Sequence, residues 1–375
     1  MKRLAILGST GSIGRQTLEV VRSFPDRFEV VALACGRNVS LLKEQVAEFK
    51  SRLVCTETAG VDEIPGAALL PLEEIAAHPD VDLVVIATSG KAGLGATLAA
   101  IRTGKKIALA NKEVLVMAGR IVVEEAKRYN AAIIPVDSEH SAIWQCMSGE
   151  ERGAVSRLIL TASGGPFRQS TQSQLAAVTS EDALNHPTWR MGTKVTIDSA
   201  TLMNKGMEVI EAHWLFDIPY SKIEVVIHRQ SIVHSVVEFI DGSSKAQLSM
   251  PDMRLPIQYA LTNPERWESP FRQQLDFRSI GTFNFEPVDM DRFPCLGMAR
   301  EAGEKGGTYP TVLCAADEVA VELFLAKKIS FTDIAAVVAK TLDRHVGIKR
   351  PSIEDIFTAD TWARETARKV FEEAE

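Results

Sequence analysis

The chain lacks a Cys-x-x-Cys pair, an apolar run long enough to span a membrane, an internal repeat and any low-complexity tract. It also lacks an excess of basic residues: 42 Lys and Arg stand against 49 Asp and Glu, for a net charge of −7. A nucleic-acid binder carries a basic stripe or patch; here Lys and Arg are dispersed along an acidic chain, so no nucleic-acid partner is expected. A membrane-spanning helix needs roughly twenty consecutive apolar residues, and without them no membrane partner is expected. The N-terminus runs straight into a strand pattern, which gives no expectation of a signal peptide. The five cysteines, at positions 35, 55, 146, 295 and 314, are scattered and odd in number. Such usage suits reduced thiols and a cytoplasmic setting.

What is present is the composition of a soluble globular protein, 46% apolar and 24% charged over 375 residues. That length exceeds one core, so two or three domains are expected. The first third alternates strand and helix. Lys2 to Leu7 ends in an apolar run, Gly8-Ser-Thr-Gly11-Ser-Ile-Gly14 follows at once, and a helix pattern runs from Ser12 to Phe24. Strand, glycine turn and helix are the setting of a dinucleotide site, where backbone N–H groups approach a pyrophosphate at a helix N-terminus. The spacing G-x-x-G-x-x-G also suits a bare turn. The second strand, Phe28 to Ala34, ends at Cys35-Gly36-Arg37-Asn38 with no acid for a ribose 2′-hydroxyl. Arg37 is a planar fork suited to a 2′-phosphate, which favours NADP, although a surface arginine fits the same position. Helices at 40–49, 72–77 and 92–102 then alternate with strands at 52–55, 83–87 and 106–109. Asn111-Lys112-Glu113 follows the last of these, and a helix to Tyr129 leads to an apolar strand at 131–134. This is a doubly wound parallel sheet with its polar clusters on one edge.

That strand leads into Pro135-Val-Asp137-Ser138-Glu139-His140-Ser141. If the extended backbone continues through Ser138, Asp137 and Glu139 share a face and converge, and two converging carboxylates call for a proton or a cation between them. The same spacing suits a solvated turn whose acids cap the next helix.

Beyond Gly153 the rhythm changes. Strand patterns at 156–162, 194–197, 223–228, 232–240 and 244–249, with an Asp241-Gly242 turn, predict an α+β domain with an open, mainly antiparallel sheet. Ser163-Gly-Gly-Pro-Phe167 offers a hydroxyl and N–H groups to an anion. His186 to Gly192 lies between Pro and Gly hinges around Trp189; it reads either as a lid or as a connection with a core Trp. Ser199 to Glu208 opens a helix that Ser199 would cap, with Asn204 and Glu208 stacked one turn apart and Lys205 beside them. An exposed Lys–Glu pair would have the same spacing.

Taken together and in order, Gly8-Ser-Thr-Gly-Ser-Ile-Gly14, Ala110-Asn-Lys-Glu113, Pro135-Val-Asp-Ser-Glu-His140, Ser163-Gly-Gly-Pro-Phe167, His186-Pro-x-Trp189-x-Met-Gly192 and Asp198-Ser-Ala-Thr-x-Met-Asn-Lys-Gly206 resemble the 1-deoxy-D-xylulose 5-phosphate reductoisomerase family, and the likeness continues through Pro251-Asp-Met253 to the C-terminus. The resemblance implies an NADPH- and divalent-metal-dependent enzyme that makes 2-C-methyl-D-erythritol 4-phosphate for isoprenoid synthesis by a retro-aldol and aldol pair followed by hydride reduction. It implies Asp137, Glu139 and Glu208 as ligands of Mg²⁺ or Mn²⁺, with Co²⁺ also admissible. Ser163, Ser199, Asn204 and Lys205 would hold the substrate phosphate. Ser138, Glu139, Lys112, His186 and Glu208 would face the sugar, and Trp189 would close over it. Lys112 and Glu139 are the candidates for proton transfer. Thr10, Gly11, Ser12, Ile13, Gly36, Arg37, Asn38, Asn111, Glu113, Met191, Gly192 and Met253 would bind NADPH. Family members are homodimers built on the middle sheet.

The implied division is a Rossmann-like NADPH-binding domain at 1–137, a catalytic and dimerisation domain with a mobile lid at 138–262, a linker at 263–294 and a helical domain at 295–375. In that last part, helices are expected at 295–304, 310–326, 331–342 and 363–374. Two departures from the family pattern stand out: Ser89-Gly-Lys91-Ala-Gly93 in place of Val-Gly-Ala-Ala-Gly, and His228-Arg229-Gln-Ser231 in place of His-Pro-Gln-Ser. Lys91 bears on the local cofactor contacts. The rival readings are a non-catalytic NADP-binding sensor, which would require a lost ligand, and a metal-free dehydrogenase, which the three carboxylates oppose.

Overall fold

The computed structural model describes residues 1–58 and 63–373. The backbone forms two compact units. The first comprises Met1–Val114, Arg120–Trp144 and Asp252–Gln274, and the second comprises Leu115–Gly119, Gln145–Pro251 and Leu275–Glu375.

The first unit holds seven parallel strands, β1 (Lys2–Leu7), β2 (Phe28–Cys35), β3 (Leu53–Thr56), β4 (Ala68–Leu69), β5 (Leu83–Ile86), β6 (Lys106–Leu109) and β7 (Ala132–Pro135). Their order is β4-β3-β2-β1-β5-β6-β7. The chain steps outward from β1 to β4 on one side and from β5 to β7 on the other, so the strand order reverses between β1 and β5. Ligands of such sheets bind outside the carboxyl ends of the strands at this switch. Crossovers are α1 (Ser12–Arg22), α2 (Val39–Phe49), α3 (Leu72–Ala77), α4 (Ala92–Arg102) and α5 (Glu113–Arg128), and α6 (Ser138–Cys146) follows β7. Leu4 to Leu7 in β1 and Leu83 to Ile86 in β5 are buried throughout. A strand covered on both faces reads as a continuous apolar run rather than an alternation, which is why these strands stand out in the sequence. Leu18 and Val21 of α1 and Leu42 and Val46 of α2 close over them in one core with Ile257 and Leu261 of the Arg254–Thr262 helix. The two-residue β4 carries no pattern the sequence could announce.

The second unit contains a four-stranded sheet of β8 (Val155–Ala162), β9 (Ile223–Ile227), β10 (Val233–Phe239) and β11 (Ser244–Leu248), in the order β11-β10-β8-β9. Pairings of β11 with β10 and β10 with β8 are antiparallel and β8 with β9 parallel, so the sheet is mixed. Asp241-Gly242 makes the predicted hairpin turn, with Gly242 at φ +84°. Residues 194–197, read as a strand from Val195, Thr196 and Ile197, instead lie in α7 (Thr193–Thr201). Their β-branched side chains bias the pattern toward a strand, but Thr196 Oγ1 bonds Gly192 O at 2.9 Å and Ile197 is fully buried on the helix. Packing overrides propensity here. Ser199 therefore lies within α7 and does not cap a helix. The next helix, α8 (Met203–Phe216), starts after Leu202 turns into the left-handed region at φ 61°.

The C-terminal part supplies α9 (Cys295–Lys305), α10 (Tyr309–Leu325), α11 (Asp333–Asp343) and α12 (Ile353–Glu372). The last begins ten residues before its predicted start, where Ser352 and Asp355 form a capping box; its predicted end at Ala374 falls outside the described residues. Gly206 of α8 lets two helices meet closely, since a Cβ there would lie 2.4 Å from Ala299 Cβ of α9.

Candidate functional site

At the carboxyl end of β1 the chain turns on glycine. Gly8 has φ +92°, and a Cβ on it would sit 2.3 Å from Ala87 O, at the exit of β5. A Cβ on Gly14 would lie 2.2 Å from Gly8 O. Both positions therefore exclude a side chain, and α1 starts hard against the turn with Gly11 as its N-cap. The first N–H groups of a helix have no partner within it; with Thr10, Ser12 and Ile13 half-buried around them, they form a cradle that fits a dinucleotide diphosphate. Ser9 and Gln45 lock the turn to α2 through bonds of 2.7 and 3.1 Å.

The end of β2 offers Gly36, Arg37 and Asn38. Arg37 is exposed. Asn38 caps α2 by accepting from Leu41 N at 3.2 Å, and Gly36 O accepts from the hydroxyls of Thr56 and Thr58 at 3.0 and 3.1 Å. Glu57, which sequence reading passed over, brings Oε2 to 3.4 Å from where a Cβ on Gly36 would be. At the end of β6, Asn111 is buried and its amide holds the β5 exit loop, donating to Thr88 Oγ1 at 3.2 Å and to Gly90 O at 2.9 Å. Glu113 is buried in the first turn of α5, and Met253 packs against the core of this unit.

Beside these lie the acids that follow β7. The backbone does not stay extended through Ser138. It turns into α6, with Ser141 N donating to Asp137 O at 2.8 Å and Ser138 N to Asp137 Oδ1 at 2.9 Å. The shared-face argument from strand geometry therefore fails, because an acid ahead of a helix and another in its first turn are favoured by the exposed N–H groups there. Lys112 Nζ contacts Asp137 Oδ2 at 2.6 Å, both side chains being more than four-fifths buried, and Ser138 Oγ donates to Glu139 Oε2 at 2.5 Å. This unit thus gathers Lys112, Asp137, Ser138 and Glu139 in a chain of ammonium, carboxylates and hydroxyl.

The second unit gathers the other predicted residues. Gly164 and Gly165, both at positive φ, bend the chain after β8, and a Cβ on Gly165 would lie 2.8 Å from Ser199 O. The Ser163 loop thus rests directly on the segment of α7 that carries Ser199. Ser163 Oγ bonds His186 Nε2 at 3.0 Å. His186 Nδ1 accepts from Thr188 N at 3.1 Å and Trp189 N at 2.9 Å, so Nε2 carries the ring proton and donates to Ser163. Burial pushes His186 down to about 4, which keeps the ring neutral at pH 7. In α8, Asn204 Nδ2 donates to Glu208 Oε1 at 2.5 Å and Lys205 Nζ bonds Glu208 Oε2. Lys205 and Glu208 are 4% and 1% exposed, so this is a buried ion pair and not the solvated one.

Trp189 and Met191 are half-buried and Gly192 is exposed, within a segment that has no regular structure. A residue missed from sequence stands beside them. His234 of β10 is buried, its ring centroid is 6.2 Å from that of Trp189, and its Nε2 bonds Ser249 Oγ at 2.8 Å. The available signal was a histidine on the inward face of an alternating strand. Asp137 and Glu139 in the first unit and Glu208 in the second each offer carboxylate oxygens, the donor type that a hard divalent cation such as Mg²⁺ or Mn²⁺ takes.

Family models match three stretches: 1-deoxy-D-xylulose 5-phosphate reductoisomerase over residues 4–119, its C-terminal domain over 133–216, and the DXP reductoisomerase C-terminal domain over 248–366. The 1-deoxy-D-xylulose 5-phosphate reductoisomerase of Pelotomaculum thermopropionicum is 53% identical over 99% of this chain and 98% of its own. The structure of the Zymomonas mobilis enzyme with NADPH is 43% identical, with a TM-score of 0.90 over 99% of both chains. A DOX-P reductoisomerase structure with NADPH, fosmidomycin and magnesium is 41% identical, with a TM-score of 0.93 over 99% of this chain and 98% of that one.

Proposed function

The chain belongs to the 1-deoxy-D-xylulose 5-phosphate reductoisomerase family, and from that membership we propose how its own residues divide the work. It is an NADPH- and divalent-metal-dependent reductoisomerase that converts 1-deoxy-D-xylulose 5-phosphate to 2-C-methyl-D-erythritol 4-phosphate. The full-length likeness to structures holding NADPH, fosmidomycin and magnesium carries this reading. When bound, the cation supplies Lewis acidity toward the substrate's ketone and neighbouring hydroxyl, and NADPH supplies the hydride.

Asp137, Glu139 and Glu208 would hold the cation, and Lys112 would balance Asp137 from the protein side. Ser163, Ser199, Asn204 and Lys205 would bind the phosphate, with His186 orienting the Ser163 hydroxyl. Phosphate binding, remote from the reacting carbons, would then help close the 186–192 segment and exclude water while the carbon skeleton rearranges. Lys112 and Glu139 remain the groups proposed to move protons. Gly8–Gly14, Gly36–Asn38, Asn111, Glu113, Met191, Gly192 and Met253 would take NADPH. The four-part division into 1–137, 138–262, 263–294 and 295–375 follows these roles.

We further propose a cytoplasmic homodimer serving isoprenoid precursor synthesis, with Mn²⁺ able to replace Mg²⁺. Among the described residues no helix is long and apolar enough to cross a membrane. The four-stranded sheet is the proposed dimer surface, with β11 at its edge and Ser244 to Ala246 exposed. Turnover of purified protein with substrate, Mg²⁺ and NADPH tests the activity: consumption of NADPH dependent on both metal and substrate is expected. NADPH binding without turnover would instead indicate the sensor.

A further inference from the structure

The loop that carries Ser163 also carries an arginine whose burial calls for a partner. After Gly165 the chain turns at 166–169, with Ser170 N donating to Phe167 O at 2.9 Å. Phe167 goes to the apolar interior, its ring centroid 5.3 Å from that of Phe331. The turn brings Arg168 back along the loop: its Cβ and Cδ lie 3.3 Å from where a Cβ on Gly164 would stand, beside Ile227 of β9. Gly164 joins Ser163, whose hydroxyl bonds His186, to Gly165, which rests on Ser199. The stem of Arg168 therefore runs along the very loop that sets Ser163 beside the Ser199 segment.

Arg168 is half-buried, and its Nε, one bond beyond Cδ, is fully buried without a hydrogen-bond partner. Among the described residues its guanidinium makes neither a hydrogen bond nor an ion pair. Arg292, which reaches the same turn, is the contrast: its Nη1 donates to Ser170 O and its Nε to Asp289 Oδ2, each at 2.7 Å. A buried donor without an acceptor is costly, the more so on a charged group, and native proteins keep few of them. A guanidinium presents its N–H groups as a planar fork that matches phosphate oxygens. Ser163, Ser199 and Asn204 are uncharged residues, so Lys205 is the one cation among those proposed above for the phosphate.

We propose that Arg168 is a further phosphate-binding residue: its guanidinium adds a second cation to the cradle and pairs with the phosphate of the substrate. This rests on the phosphate-cradle reading above, and the test keeps the two apart.

The measurement is the Kd of two substrate analogues on holoenzyme with Mg²⁺ and NADPH, one bearing a phosphonate and a matched one without it. The Kd of NADPH and the melting curve are taken alongside. Arg168→Met and Arg168→Gln should each cut the preference for the phosphonate over its phosphate-free match roughly tenfold. Both should leave NADPH within twofold and melt cooperatively. Arg168→Lys keeps the charge and most of the stem, so it should retain more of the preference than either neutral variant. A preference that falls less than threefold in the neutral variants would overturn the proposal, as would equal weakening of both analogues, which is what lost packing produces. So would Arg168→Lys behaving no better than Arg168→Met. If neither neutral variant melts cooperatively, Arg168 is a packing residue and the proposal falls. Ser199→Ala and Lys205→Met are the controls for the cradle itself. If they cut the preference and the Arg168 variants do not, only the role of Arg168 fails; if none of them cuts it, the cradle reading fails and takes this inference with it.

Discussion

At the carboxyl ends of the first unit's strands, the proposed cofactor recognition is built largely from backbone. Gly8 and Gly14 exclude side chains so that a helix start can be approached closely, and Arg37 stands exposed. The second unit works with buried side-chain charge: Lys205 against Glu208, and Lys194 against Asp198 and Asp317. Backbone N–H groups keep their polarity through most substitutions, whereas a buried pair that loses one member strands the other at a cost of about 3–5 kcal/mol. The glycine turn of the first unit should therefore tolerate side-chain changes that leave its glycines alone, whereas the buried charges of the second unit, like the Lys112–Asp137 pair of the first, should be sensitive to single charge changes.

The largest effect expected is at the proposed metal ligands. Glu208→Gln keeps the shape and the bond from Asn204 but removes one anionic ligand and the counter-charge of Lys205. A catalytic cation supplies several kcal/mol, so kcat at saturating Mg²⁺ should fall by about a thousandfold or more. Asp137→Asn in the first unit should lose as much. If Glu208→Gln turns over at near-normal rate while Asp137→Asn does not, Glu208 belongs to the phosphate helix alone. NADPH binding should persist in both variants, because the glycine turn is untouched.

A smaller effect is expected at Arg37. One charge-assisted contact to a 2′-phosphate contributes about 1.5–3 kcal/mol, or roughly ten- to a hundredfold in preference. Arg37→Ala should raise KM for NADPH by that factor and leave NADH almost unchanged. Glu57 sits by Gly36 and would repel the same phosphate, so Glu57→Gln should move the NADPH constant slightly in the opposite direction. Equal weakening of both cofactors by Arg37→Ala would mean that the 2′-phosphate is read elsewhere.

The same contrast decides what could be read from sequence. Doubly buried strands and their glycine turn are local patterns of period and breaker residues, and β1, β5, α1 and α4 fall within a residue or two of where those patterns put them. The segments of the second unit that carry the proposed site are not periodic. Val195-Thr-Ile197 has the composition of a strand and the packing of a helix. Whether Lys205 and Glu208 face solvent or core depends on α9 and its close approach at Gly206, which no local window contains. The acids at 137 and 139 fall between these cases: their identity was legible, but their backbone was not, because a strand end and a helix start share the same residues. His234 and Asp317 take their meaning only from neighbours far along the chain. For the second unit, the three of the six ordered motifs that fall within it, at 163–167, 186–192 and 198–206, carried what periodicity could not.

The smallest expected effect concerns the proposed lid and sets its neutral latch against the charged pairs around it. His186 accepts two N–H bonds at Nδ1, from Thr188 and Trp189, and that acceptor disappears when the ring is protonated. Burial holds its pKa near 4, below the ordinary value of 6.5, and His234 behind Trp189 is lowered by burial to about 4 as well. A histidine whose folded pKa lies below its unfolded one contributes stability that is complete above pH 6.5 and is lost as the pH falls from 6.5 toward 4, because the open state takes up the proton first. One proton limits the change to about tenfold per pH unit, and the partial exposure of His186 reduces it further. Amide protection across 186–192, corrected for intrinsic exchange, should therefore decline through that window. His186→Asn offers an acceptor in a similar place with nothing to protonate, so its decline should be shallower, with only His234 contributing. A phosphonate analogue with metal and cofactor should raise protection at every pH, and a phosphate-free analogue should raise it much less. If His186→Asn declines as steeply as the parent, the latch is not at His186; if unliganded protein is already fully protected at neutral pH, residues 186–192 are a fixed core segment and do not open.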